Sequence, residues 1–207
     1  MFYFTKTPWI LKKFYSECIW EIPSKEKIIY LTFDDGPHPI ATPFVLDELK
    51  KYNAKATFFC IGKNVVEEKN LYRRILDEGH RVGNHTYNHL NGWKTDDLVY
   101  LENILTAAKF IDSKLFRPPY GRISKFQIRN LNTKFGYNIV MWTVLSGDFD
   151  TKISGNVCAE KVLLKAGPGS IVVFHDSEKA FDRLRYALPI VLKQFSEQGY
   201  RFEKINL

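Results

Sequence analysis

Cysteine is scarce in this chain: Cys18, Cys60 and Cys158 are the three among 207 residues, odd in number and far apart. That excludes a disulfide framework and suits a reducing compartment, where the three read as ordinary buried thiols. Long apolar runs are lacking too. No segment approaches the roughly 18 apolar residues of a spanning helix, so no transmembrane segment is expected. The opening stretch MFYFTKTPWILKKFYSECIW has no basic start followed by an apolar run and a small-residue cleavage site. It does not read as a signal peptide, and the expected location is cytoplasmic, with the inner membrane face as the alternative. No G-x-G-x-x-G follows a strand-like run, which leaves a dinucleotide site without support. Low-complexity linkers and repeated motifs are absent as well.

What is there suffices for one core: 45% of the residues are hydrophobic, which fits a single domain better than two. The formal charge of +7 raises the question of an anionic partner: nucleic acid, a membrane surface or an acidic glycan. The basic residues are dispersed, however. Lys12-Lys13, Lys50-Lys51 and Arg73-Arg74 sit among apolar residues at helical spacing and read as solvated helix faces. No nucleic-acid signature accompanies them, and no nucleic acid is expected. Phe2, Phe4, Trp9, Ile10, Phe14 and Tyr15 alternate with lysines. Residues 1–26 are expected to form an N-terminal extension packed on the domain, residues 27–207, with peripheral membrane contact as the alternative.

Short β-branched or aromatic runs alternate with stretches of helical spacing, as in a parallel α/β arrangement. Strands are expected at 28–33, 56–61, 81–85, 115–116, 137–144, 170–175 and 201–205. Helices are expected at 42–52, 64–78, 95–112, 124–135, 157–165 and 183–198. About seven alternations without a linker give one closed or nearly closed βα barrel, in preference to an open doubly wound sheet.

The polar residues then fall in a pattern. Asp34 and Asp35 end the first strand, His85 the third and His175 the sixth, while Arg117 follows the fourth and Asp148 the fifth. In a parallel barrel these ends share one face, where active sites are built. His85 and His89 in NHTYNH are four apart, a spacing that puts two imidazoles on one side of a helical turn. A carboxylate from a neighbouring strand end would complete three ligands and leave a position open, as in catalytic metal sites. Two adjacent aspartates in DDGP are an acidic turn when isolated. Beside a cation, one can bind it while the other acts as a base on water. A mononuclear iron oxygenase uses the same ligand set, but the architecture argues against it.

Five blocks in order, TFDDGP (Thr32–Pro37), HTYNH (His85–His89), RPPYG (Arg117–Gly121), SGDFD (Ser146–Asp150) and VFHD (Val173–Asp176), resemble the signatures of the NodB-like polysaccharide deacetylases, carbohydrate esterase family 4. The resemblance implies a distorted (β/α)7 barrel in a single domain, 27–207. It also implies metal-dependent removal of acetyl groups from a poly- or oligosaccharide, often at N-acetylglucosamine. By the same resemblance Asp35, His85 and His89 would hold a divalent metal, zinc first, with cobalt or nickel as substitutes. Asp34 would be the general base, oriented by Arg117. His175, supported by Asp148, would be the general acid, and the backbone N–H of Tyr120 would help hold the oxyanion.

Phe149 stands where the family usually has tryptophan, and Val173 where it has leucine. By the same resemblance both positions shape the acetyl-methyl pocket, and since both replacements are apolar an altered pocket, not a lost one, is expected. A glycan-binding protein of this fold with little turnover, or an amidase on a non-sugar substrate, are the rival readings. His38 and His80 match no ligand position and read as structural, while Trp93, Trp142 and Tyr120 border the sugar site or pack in the core. Oligomeric state is left open.

Overall fold

The computed structural model describes residues 3–207; Phe2, part of the aromatic N-terminal stretch, lies outside the described residues. After α1 (Trp9–Phe14) the chain runs through β1 (Ile28–Asp34), α2 (Ala41–Lys51), β2 (Thr57–Cys60), α3 (Gly62–Glu67), α4 (Lys69–Asp77), β3 (Arg81–Asn84), α5 (Asp97–Ala108) and β4 (Leu115–Phe116). It continues through α6 (Lys125–Thr133), β5 (Asn138–Ile139), β6 (Val144–Leu145), α7 (Gly155–Lys165), β7 (Ile171–His175), α8 (Glu178–Glu197) and β8 (Arg201–Phe202).

Neighbouring strands pair in parallel in the order β5-β4-β3-β2-β1-β7-β6, with β8 added beside the start of β1. Sequence order is kept around the sheet and is interrupted between β5 and β6. A doubly wound sheet reverses direction at a switch point instead. The result is a parallel sheet curled into a half-barrel, the distorted barrel expected. Strand β1 shows how the pleat sorts its residues. Ile29, Leu31 and Phe33 join Val45, Leu46 and Leu49 of α2 and Leu188 of α8 in the helix-facing core. The alternate residues Thr32 and Asp34 turn the other way and meet the Arg117 side chain.

The expected strand 137–144 is two strands. Between them the carbonyls of Val140 and Met141 accept hydrogen bonds from the Arg117 guanidinium. The ladder position next to Val140 is taken by Ile19, whose N–H donates to Ile139 (2.8 Å) while its carbonyl accepts from Met141 (2.7 Å). Asp148 therefore follows the sixth strand and His175 ends the seventh. The expected helix 64–78 also divides, at Glu68, so that α3 packs on α5 while α4 packs on α2 and β3. Helix α5 is capped by Asp96, which accepts from the Leu98 and Val99 N–H groups, and not by Thr95. Helix α8 begins at Glu178, ahead of the expected Arg183.

Residues 3–26 lie along the opening between β5 and β6. Lys6 bridges Val144, Ile19 bridges Val140 and Glu21 bridges Ser170. Cys18 and Trp20 are buried there against Ile139 and Met141. All three cysteines are free and buried, and burial pushes the Cys18 and Cys158 thiols up to about 12.

Candidate metal centre

Four of the non-glycine residues at positive φ sit together at the strand C-termini: Asp35 (79°), Thr86 (65°), His89 (57°) and Tyr120 (60°). Such backbone is costly for residues bearing a Cβ and collects at functional sites. Here it aims the side chains that follow β1, β3 and β4 into one place.

Among the described residues, Asp35, His85 and His89 form a cluster whose ligand atoms all lie within 4.8 Å of one another. Asp35 Oδ1 is 3.1 Å from His89 Nε2 and 3.6 Å from His85 Nε2. That oxygen is buried and makes no hydrogen bond, a costly state that a bound cation removes. His85 Nδ1 lies 2.7 Å from the Arg117 carbonyl. A carbonyl only accepts, so the ring proton is on Nδ1 and Nε2 is bare toward the cluster. Burial also lowers the His85 pKa to about 4, which keeps the imidazole neutral as a ligand must be. The donor set of one carboxylate and two imidazoles thus fits a divalent metal with an open position. Residues 85–89 form a loop and not the helical turn expected from their spacing. The positive-φ residues Thr86 and His89 bend it until the two rings stand 5.2 Å apart.

Asp34, buried beside this cluster, is gripped by Arg117 (Nη1 to Oδ1, 2.7 Å). The same nitrogen donates to Thr32 Oγ1 (2.7 Å), while Nε and Nη2 donate to the Val140 and Met141 carbonyls (3.1 and 3.0 Å). The guanidinium plane rests 4.1 Å from the Phe59 ring centroid. With full burial and these partners it is a rigid fork. Arg117 consequently fixes two things at once: its side chain the Asp34 carboxylate, its carbonyl the His85 ring. In Arg117→Met, Asp34 is left buried and unpaired, and a stability loss of about 3–5 kcal/mol is expected, measured by urea denaturation.

His175 Nδ1 meets Asp148 Oδ1 at 2.7 Å, and the His175 backbone N–H donates to Asp148 Oδ2, also at 2.7 Å. Ser146 Oγ donates to the same carboxylate (3.0 Å), and Arg183 Nε to the Asp148 carbonyl (2.6 Å). Burial alone would lower the His175 pKa, but Asp148 and the nearby aspartates raise it to about 9. The Tyr120 ring is exposed and lies edge-on to His89, with centroids 4.7 Å apart. The N–H groups of Gly121 and Arg122 close the turn onto Pro118 and Pro119.

Two neighbours of the site were not singled out from sequence. Asp176, next to His175 in VFHD, accepts from the Gly36 N–H (3.1 Å) and from Thr42 Oγ1 (2.6 Å). A Cβ on Gly36 would lie 2.0 Å from its Oδ2, so glycine is required there. Asp176 ties the turn carrying Asp35 to β7, and its position in the fifth block is the signal for it. Tyr3 has no such signal. Its ring packs edge-on to Phe149 (5.1 Å), which packs on His175 (5.3 Å), and its hydroxyl bonds Asp150 and Lys161. Of the other candidates, Trp142 packs beside Arg117 and Gly121, while Trp93 is exposed under the Arg122 guanidinium. His38 Nδ1 accepts from the Ile40 and Ala41 N–H groups at the start of α2, and His80 Nδ1 accepts from Ala56. Both are structural.

A curled parallel sheet with this donor cluster at its mouth defines a metal-dependent hydrolase of the barrel type. The family model described as polysaccharide deacetylase matches residues 21–140, and the chain belongs to that family. It is 38% identical over 193 residues to a peptidoglycan-N-acetylglucosamine deacetylase of Bacillus cereus, covering 90% of each chain. It is 36% identical over 194 residues to the peptidoglycan-N-acetylglucosamine deacetylase of Listeria monocytogenes, but spans 40% of that longer protein and 90% of its own length. Among solved structures, the Bc1960 peptidoglycan N-acetylglucosamine deacetylase superposes with a TM-score of 0.87 at 32% identity, covering 96% of this chain and 95% of the other.

Proposed function

We propose that this protein removes the N-acetyl group from N-acetylglucosamine units of a saccharide, with peptidoglycan fragments as the first candidates. The observation that carries the reading is the buried, hydrogen-bond-free Asp35 oxygen facing two imidazoles beside the Arg117-held Asp34. The relatives above are named for that activity. Asp35, His85 and His89 would hold the cation, with zinc preferred and cobalt or nickel as substitutes. A divalent ion there supplies a Lewis acid for the amide carbonyl and brings the pKa of water to ~7.

The chain's own groups do the rest. Asp34, its proton-accepting oxygen turned by Arg117, takes the proton of the attacking water. The Tyr120 N–H, presented by its positive φ, donates to the oxygen that gains charge as the carbonyl becomes tetrahedral. His175, held by Asp148, gives its proton to the nitrogen as the C–N bond breaks, so that amine leaves and acetate remains. Phe149, braced by Tyr3, lines the acyl side next to His175. Paired Asp34 and His175 disfavour a glycan-binding protein without turnover.

The test is acetate release from peptidoglycan fragments, chitooligosaccharides and acetylated xylan with zinc or cobalt, with metal analysis of the same sample. Release from the N-acetylglucosamine substrates is expected. Tight saccharide binding without acetate would overturn the reading.

The donor role also fixes a pH dependence. His175 must be protonated, and its pKa is raised, so the rate holds above the ordinary histidine range and falls as pH rises toward about 9. In Asp148→Asn the raising charge is gone, and the basic limb of the kcat profile moves to lower pH by at least about one unit. An unmoved limb would remove His175 as the donor.

A further inference from the structure

Helix α1 places none of its six residues in the buried core. Leu11 and the capping Tyr15 pack against the cluster around Trp20, Ile139 and Met141, and Lys125 of α6 holds the Phe14 carbonyl. These contacts fix the helix, which at this length has no stability of its own. They also fix what faces outward: Trp9 is 71% exposed, Phe14 67% and Ile10 47%.

Lys6, Lys12 and Lys13 accompany these side chains; Lys12 pairs with Glu21, and Glu17 pairs with Lys125. Lys6 and Lys13 are exposed and, among the described residues, take part in no salt bridge. A rigid patch of large apolar groups with a basic border calls for a partner that is apolar within and anionic at its edge. A second copy of the chain would set these lysines against their own like charges, on a molecule already at +7. An anionic lipid bilayer offers both halves: the acyl boundary for Trp9, Ile10 and Phe14, and negative headgroups for the lysines.

We propose that α1 docks this protein on an anionic membrane surface through Trp9, Ile10 and Phe14, with Lys6 and Lys13 among the headgroups. Docking is peripheral, and among the described residues no helix is long and apolar enough to cross a membrane. The reading does not depend on the deacetylase reaction.

Co-sedimentation of the full chain with vesicles tests it, comparing mixed phosphatidylglycerol and phosphatidylcholine with phosphatidylcholine alone. Binding to the anionic vesicles is expected, weakening with added salt. Trp9→Ser with Phe14→Ser should weaken it by about tenfold or more, and Lys13→Gln by about fivefold. The side chains are exposed, so an unchanged circular dichroism spectrum is expected for each variant. No binding to anionic vesicles, or binding that the double variant leaves intact, overturns the proposal. So does a dimer abolished by the double variant in a protein that ignores vesicles, which would assign the face to a second copy.

Discussion

Asp34→Asn is expected to lower kcat by about 10³-fold while the protein retains its divalent cation. The reason lies in what each oxygen of Asp34 does. Oδ1 is engaged by Arg117 at 2.7 Å, and the amide oxygen of asparagine can keep that bond. The other position becomes an NH₂ group, which cannot take a proton from water. Asp34 is also outside the cluster formed by Asp35, His85 and His89, so the ion stays. Elemental analysis after dialysis, paired with steady-state kinetics on an N-acetylglucosamine oligomer, reads both quantities. Full turnover in Asp34→Asn would end its assignment as the base.

The neighbouring carboxylate gives the opposite signature. Asp35→Ala is expected to abolish metal retention after dialysis and to lower kcat/KM by about 10⁴-fold, because water activation and carbonyl polarisation vanish together. Asp35 is the carboxylate of the donor set, and its buried oxygen lies 3.1 Å from the His89 imidazole and 3.6 Å from that of His85. His85 and His89 alone offer two ligands, short of the three a catalytic site uses. Excess zinc should restore little activity. If Asp35→Ala keeps one tightly held ion per chain, the ligand set is wrong even should the enzyme prove inactive.

The opposite fates of two adjacent aspartates explain how much was legible in the sequence. A strand with period two ending in Asp34 points that residue inward with Thr32, and the next residue, forced to a φ of 79°, points elsewhere. From IIYLTFDD alone the two roles stay interchangeable and the resemblance of TFDDGP assigned them, while the strand-end rule carried the convergence of His85, Arg117, Asp148 and His175. The route from His85 to His89 was less legible, since residue spacing cannot tell a helical turn from a loop bent by two left-handed residues. The break after Val140 was hidden for a different reason. Residues 137–144 look like one strand by composition, and it takes a guanidinium and a residue from far upstream to claim its carbonyls and N–H groups. Tyr3 belongs with these cases: its contacts with Phe149, Asp150 and Lys161 are made through space, and aromatic residues near a chain terminus carry no local mark of what they touch. Asp176 was half visible, inside a recognised block but without a role until Gly36 and Thr42 closed around it.

The filling of the gap between β5 and β6 by residues 5–21 imposes a timetable on biosynthesis. Their pairing groups, Val140, Val144 and Ser170, are translated far later, so Ile19 and Trp20 leave the ribosome with no sheet edge to join. Contacts this distant in sequence form late, after the closing of a long loop. An early-made stretch must wait, apolar and uncovered, until the segment from Val140 to Ser170 has been made and can cover it.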